Sequence, residues 1–488
     1  MANVKISDLT TKDVLTGGEF VPIVQSGTSF KTTVSAIGNS ADLTNLNTKV
    51  NTLTGQALGL SIPTNLNIIG SNNTIVGGNN NSLSGLNSFM GAGSGNSLSG
   101  IHSFLGGGKD NTLSAVSHVQ GRYTAIVAGQ KNFVAGFGNF IGGGTHNCSH
   151  EGQNNVVVGG STNNNAGCVS FIGGGRHNKI AQITNAGQAP GNVLVGGQFN
   201  TICGNFKAKS FIGGGEFNYT CASYATIAGG RNNRLSGDFG FIGSGYCNTS
   251  RGECSVIVGG SQNNVTGARA FIGSGTNNEG TGTSSVVGGG NANCNYGNCG
   301  FIGGGTLNVI CNVEDGTIGG GEQNTIKGIQ GTIGGGKQNI VCEATGVIGG
   351  GFRNTTYCSV ATIAGGSYNR GCGDFSFIGG GCLNCACGDF SFIGGGCRNT
   401  AEGNRSVIVG GQNNTMGAVG CATIIGGCSN QIVAGHTHSV VAGSNIRSVS
   451  AHMLHAQRLF LSAGGLPTSD PGVAGVVWND SGTLKISL

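Results

Sequence analysis

The chain has 488 residues, 99 of them Gly, with 9% charged residues and a formal net charge of +5. Basic residues this sparse and scattered exclude a nucleic-acid-binding stripe. So much glycine with few strong helix formers excludes a mainly helical fold, and no segment is long and apolar enough to cross a bilayer.

Residues 1–40 lack the repeat described below and read as a small β-rich module. The start, Met1 to Asp8, has no apolar signal region, so the expectation is a soluble protein that does not use a secretory leader. In 41–58, Leu43, Leu46, Val50 and Leu53 follow three-four-three spacing, a short heptad seam. It fits either a parallel coiled coil or an amphipathic helix packed on its own chain.

Residues 59–447 carry a Gly/Asn-rich repeat of 15 residues, as in Phe377-Ile378-Gly379-Gly380-Gly381-Cys382-Leu383-Asn384. With the second apolar residue (Ile378) as position zero, position six is Asn218, Asn233, Asn248, Asn263, Asn278, Asn293, Asn308, Asn324, Asn339, Asn354, Asn369, Asn384, Asn399 and Asn414 in successive repeats. Nine further anchors fit, and insertions near 110–125 and 180–210 stretch some intervals. Fifteen residues are too few for a helix pair, so the fold class predicted is all-β: a parallel β-solenoid, one coil per repeat, rising about 4.8 Å per coil. The Asn column is predicted to be a structural ladder, stacking between coils and tolerating a left-handed turn conformation. A second glycine ten residues after the anchor, at Gly373 and Gly388 among others, marks a second turn.

Neighbouring strand residues face opposite ways, so Phe377 and Ile378 cannot both enter one narrow core. The outward column would form an apolar stripe beyond what soluble monomers usually expose. Self-association follows, and with the seam at 41–58 it favours an elongated parallel homotrimer. Residues 448–488 form the predicted cap, in which Pro467 and Pro471 break the chain and Val476 to Ile486 reads as a hairpin.

The repeat, in forms such as Ser391-Phe392-Ile393-Gly394-Gly395-Gly396-Cys397-Arg398-Asn399, resembles the head repeats of trimeric autotransporter adhesins over roughly residues 65–445. That resemblance implies a trimeric left-handed β-roll. Lys5-Ile6-Ser7-Asp8-Leu9 and Gly17 to Gln25 resemble N-terminal segments of phage tail-associated proteins, and Leu466 to Gly475 with Val477-Trp478-Asn479-Asp480 resembles the end of phage fibre proteins. The ends together imply a bacteriophage tail fibre, assembled in the host cytoplasm and carried on the virion. Its N-terminus would attach to other tail or baseplate proteins and its C-terminus would point toward a glycan or protein of the host surface.

Among candidate chemical groups, His436 and His438 form a His-x-His. On a strand both rings would face one side, and three parallel chains would place six imidazoles around the axis, a set that suits an octahedral transition metal such as iron. Phage fibre tips that this segment resembles use that arrangement; the alternative is a pair of packed histidines without metal. The 18 Cys follow the repeat phase. Cys372 and Cys387 fall in one column, and Cys382, Cys385 and Cys387 cluster, so disulfides or a metal are conceivable. Small buried core filler is the reading preferred for them. Asp238, Asp374 and Asp389 share a turn phase and no paired acid and base is evident, so no catalytic residue is assigned. Positions four and five, including Arg176, Phe217, Tyr246, Phe352, Arg353 and Tyr368, form an expected exposed ridge whose rings suit glycan stacking. The expected function is a non-enzymatic trimeric spacer and host-surface adhesin. A purely structural filament is the alternative, with an ice-binding solenoid or a glycan depolymerase less favoured.

Overall fold

The computed structural model describes residues 20–25, 28–33, 66–114, 122–150, 152–181, 191–203, 209–457, 466–473, 477–480 and 483–487. Every regular element among them is a strand or bridge. The predicted coiled-coil segment at 41–58 lies outside the described residues. The chain divides into two compact units, residues 1–224 and 225–488, a division that falls within the repeat region.

The repeat folds as a parallel β-solenoid of about 25 coils. Each coil carries two strands, mostly of two residues, on opposite sides. In the coil anchored at Ile378, Phe377–Ile378 pairs in parallel with Phe392–Ile393, and Cys385–Ala386 pairs with Thr400–Ala401. Alternation along a strand then sorts the side chains. Ile378, Ile393, Ala386 and Ala401 are fully buried, whereas Phe392 is 38% exposed. Burying each Ile contributes about 1.5–3 kcal/mol, so the line of anchors is the core of each unit. The outward column mixes Phe, Val and Thr, and where Phe residues are successive their rings stack, as in Phe377 on Phe392 at 5.3 Å.

The first bend of the coil rests on its Asn. Asn384 Nδ2 donates to Gly380 O (2.9 Å) and to Gly396 O of the next coil (3.0 Å). Its Oδ1 accepts the backbone N–H of Asn399 at 3.0 Å, and its own N–H goes to Asn369 Oδ1 at 3.0 Å. The side chain is fully buried, and these bonds offset the cost of burying the amide. One expectation needs correction: the ladder Asn is not the left-handed residue. That conformation belongs to the residue before it, such as Leu383 (φ 57°), and to a second residue seven further on, Phe390 (φ 59°). Even β-branched Thr162 and Val360 adopt it, both with φ 58°. Such residues normally avoid this region, so the inter-coil hydrogen bonds on either side dictate the backbone there.

The second and third glycines after the anchor stand in different surroundings. Gly381 has φ +80°, and a Cβ on it would run into the Gly396 carbonyl of the next coil. By contrast, a Cβ on Gly380, or on Gly229, Gly335, Gly365 or Gly395 at the same position, would meet nothing within 4 Å among the described residues.

Insertions do not interrupt the ladder of residues 1–224. Asn132 N–H still reaches Asn111 Oδ1 across 21 residues (3.0 Å), and Asn200 N–H reaches Asn178 Oδ1 across 22 (3.1 Å). Outside the repeat, Phe20–Gln25 pairs antiparallel with Thr28–Thr33, and Val477–Asp480 with Thr483–Ile486. Leu454–Ala456 adds in parallel to Val440–Ala442.

Candidate functional site

Three features carry chemistry, and each follows from repeat phase. The first is the ridge at positions four and five. Position four bridges coil to coil, as between Lys337 and Phe352, and position five is the left-handed residue, so side chains there project outward and stack at coil spacing. In residues 1–224 the column holds His177, Phe199 and Phe217, with ring centroids 4.7 and 4.8 Å apart. From Gln323 to Tyr368 it becomes a polar chain: Gln338 Nε2 donates to Gln323 Oε1 (2.8 Å), Arg353 Nε to Gln338 Oε1 (2.6 Å) and Arg353 Nη1 to the Tyr368 hydroxyl (3.1 Å). The Arg353 guanidinium also lies 5.0 Å from the Phe352 ring centroid. Beside this chain a shallow groove is lined by Leu307, Gln323, Thr325, Gln338, Ile340, Arg353 and Thr355. Amides, a guanidinium and aromatic faces in one strip can hydrogen-bond and stack on a polar ring such as a sugar.

The second feature is the thiols. Phase reasoning grouped Cys382 with Cys385 and Cys387, but the structure separates it. Cys382 stands at position four, before the first bend, where its Sγ contacts Cys397 Sγ at 2.6 Å. Cys385 and Cys387 flank inward-facing Ala386 and so share the outer face, with their sulfurs 2.8 Å apart. Cys372 joins them from the preceding coil, 3.9 Å from Cys385, and the three sulfurs lie within 4.8 Å of one another. Hydrogen bonds with Cys385 and Cys387 draw the Cys372 thiol well below its ordinary pKa, against the opposing effect of burial. The same bonds to Cys372 hold Cys385 and Cys387 above theirs.

Cysteine as core filler is corrected. Of the free cysteines described only Cys168 is buried; position nine, which holds Cys311, Cys342, Cys372 and Cys387, follows the inward residue and faces out. Cys203 and Cys221 occupy that position in adjacent coils and form a disulfide, with Cα atoms 4.6 Å apart.

The third feature is the His-x-His. The strand expected for it is replaced by a turn: Thr437 N–H donates to Gly435 O (3.0 Å), and His438 is left-handed with φ 54°. The two rings therefore meet different partners. His436 Nδ1 lies 2.8 Å from Ser448 Oγ, while the His438 ring stacks on His452 with centroids 4.8 Å apart.

Asp374 and Asp389 take a backbone role on the second bend. Asp389 Oδ1 accepts the Asp374 N–H and Asp374 Oδ1 the Ser359 N–H, each at 3.0 Å.

A further ladder escaped the sequence reading. In residues 1–224, two positions before each anchor, Asn139, Asn155, Ser170, Asn192 and Ser210 are buried. Asn155 N–H donates to Asn139 Oδ1 (2.9 Å) and Ser170 N–H to Asn155 Oδ1 (3.0 Å). The signal was present as a small polar residue at fixed phase, but Asn and Ser alternate there. Comparison with protein-family models and with curated proteins finds no match to this chain.

Proposed function

We propose that the chain is a non-enzymatic phage tail fibre, a homotrimer that acts as spacer and host-surface adhesin. The observation that carries the association is the outward face of the anchor strands. Phe301 is 43% exposed, Phe392 38%, and Val258 and Val409, one residue after their anchors, 48% and 51%. Beside them runs the glycine column of Gly229, Gly335, Gly365, Gly380 and Gly395. Its backbone conformation does not demand glycine, and no atom of the described residues lies within 4 Å of where a Cβ would stand. A column kept small without an internal reason is accounted for by another backbone approaching closely. A second and third copy about a shared axis would cover the apolar stripe at the same time.

The terminal resemblances support the appendage role, with residues 1–40 on the virion tail and the C-terminal end toward the host. The ridge around Arg353 and Tyr368 is the glycan-contact surface of this reading. An axial iron at His436 and His438 is left out of it, because the two rings face different partners.

Native mass measurement is expected to give three chains per particle. Gly380→Leu with Gly395→Leu is expected to leave the strands formed but yield monomers; a monomeric parent protein would overturn the proposal. Isolated trimers are expected to bind host cells, and loss of the ridge rings and Arg353 to weaken that binding. Trimers that bind no host surface would reduce the role to a structural filament.

A further inference from the structure

We propose that Cys372, Cys385 and Cys387 form a three-thiolate site for one thiophilic metal ion, with zinc(II) the fitting probe, that clamps two adjacent coils. The argument starts from the disulfide at the same column. Cys203 and Cys221 hold position nine in neighbouring coils, and the residue two before the second of them is Tyr219, whose hydroxyl lies 2.8 Å from Cys221 Sγ. Cys372 and Cys387 stand in the same relation, but the residue two before Cys387 is Cys385. Where one location presents two sulfurs and a phenol, the other presents three sulfurs. A disulfide between any two would strand the third against them.

The spacing suits a metal. Zinc–thiolate bonds of about 2.3 Å separate the sulfurs of one shell by roughly 3.8–4.0 Å. Cys372 and Cys385 are already 3.9 Å apart, and the whole set spans no more than 4.8 Å. The 2.8 Å Cys385–Cys387 contact must widen, and both side chains point away from the core on a strand pair fixed by its backbone ladder. Soft thiolates select zinc or copper(I) over hard cations.

On binding, the protons the thiols still carry pass to solvent as three metal–sulfur bonds form, with water in the fourth position and a net charge of −1 for zinc(II). Arg370, the strand partner of Cys385 in the preceding coil, supplies a compensating positive charge. Cys382 and Cys397, on the other side of the bend, are outside the site.

The test uses the full chain, reduced and held without oxygen, titrated with cobalt(II) and then zinc(II). A sulfur-to-cobalt charge-transfer band is expected, bleached by zinc. Cys385→Thr, the residue that the next coil carries at Thr400, is expected to abolish the band and remove about one zinc per chain. Cys387→Ser should do the same, and Cys382→Ser should change neither. Absence of the band in the parent protein, its survival in Cys385→Thr, or a Cys372–Cys387 disulfide in the reduced protein would overturn the site.

Discussion

Residues 66–224 and 225–457 share the first bend but solve the second differently. In the earlier region the second bend repeats the first: a coil-to-coil bridge such as Phe137 to Gln153, a left-handed residue, Asn154 with φ 54°, then a buried polar side chain. Asn155 Nδ2 donates to Gly167 O (2.6 Å) and its Oδ1 accepts from Ser170. In the later region a glycine ten after the anchor closes a tight turn, with Ser391 N–H donating to Gly388 O at 3.2 Å. The buried position there holds an Ala such as Ala361, a Ser or a Gly such as Gly316, and the Ser376 and Ser391 hydroxyls have no partner among the described residues. Side-chain amides in one region and backbone geometry in the other reach the same coil.

The largest effect is expected where the two regions agree. Gly144→Ala and Gly381→Ala each place a Cβ at φ +85° or +80° against the next coil's carbonyl, costing on the order of 3–5 kcal/mol. Hydrogen-exchange protection of the flanking strands would register the loss, and equal losses in both regions are expected. Next, Asn147→Ala and Asn384→Ala at the shared first bend orphan buried backbone groups and should each cost about 2–4 kcal/mol by the same measure.

The second bend separates the regions. Asn155→Ala is expected to cost about 2–3 kcal/mol, whereas Ser391→Ala, which deletes a hydroxyl lacking a partner, should be neutral or stabilising by less than about 1 kcal/mol. Equal costs would erase the distinction.

The smallest effect concerns acid. The buried Asn ladder of the first bend holds no titratable group, but exposed Asp470 accepts from Ser487 Oγ (2.5 Å) and Gly472 N–H (2.9 Å), and these bonds lower its pKa. With the folded value depressed, the contact is fully formed above the usual carboxylate range and lost as pH falls through that lowered value. The Gly472 amide resonance should shift there while the ladder amides do not.

The solenoid and its first bend were legible because one residue type, Asn, is the only small side chain offering two donors and an acceptor at that bend. The second bend was legible where a glycine stands ten after the anchor, as at Gly388, but not in the earlier region, where Asn, Ser or Thr holds the buried position, as at Asn139, Ser170 and Thr124. The thiol trio was half legible. Phase placed Cys372 beside Cys387, but strand alternation, which takes Cys382 to another surface and leaves Cys385 on theirs, needed the strand limits. His436 and His438 misled because a two-residue spacing implies a shared face only on a strand, and Gly435 (φ 88°) turns the chain there.

Because each amide passes its oxygen to the residue 15 or 16 positions later in regular coils, every cross-link in the wall is short in sequence. A nascent chain then never has to wait for a distant segment: each new coil finds its template in the one just finished, so assembly can zip forward during synthesis, with loop-closure entropy that does not grow with total length.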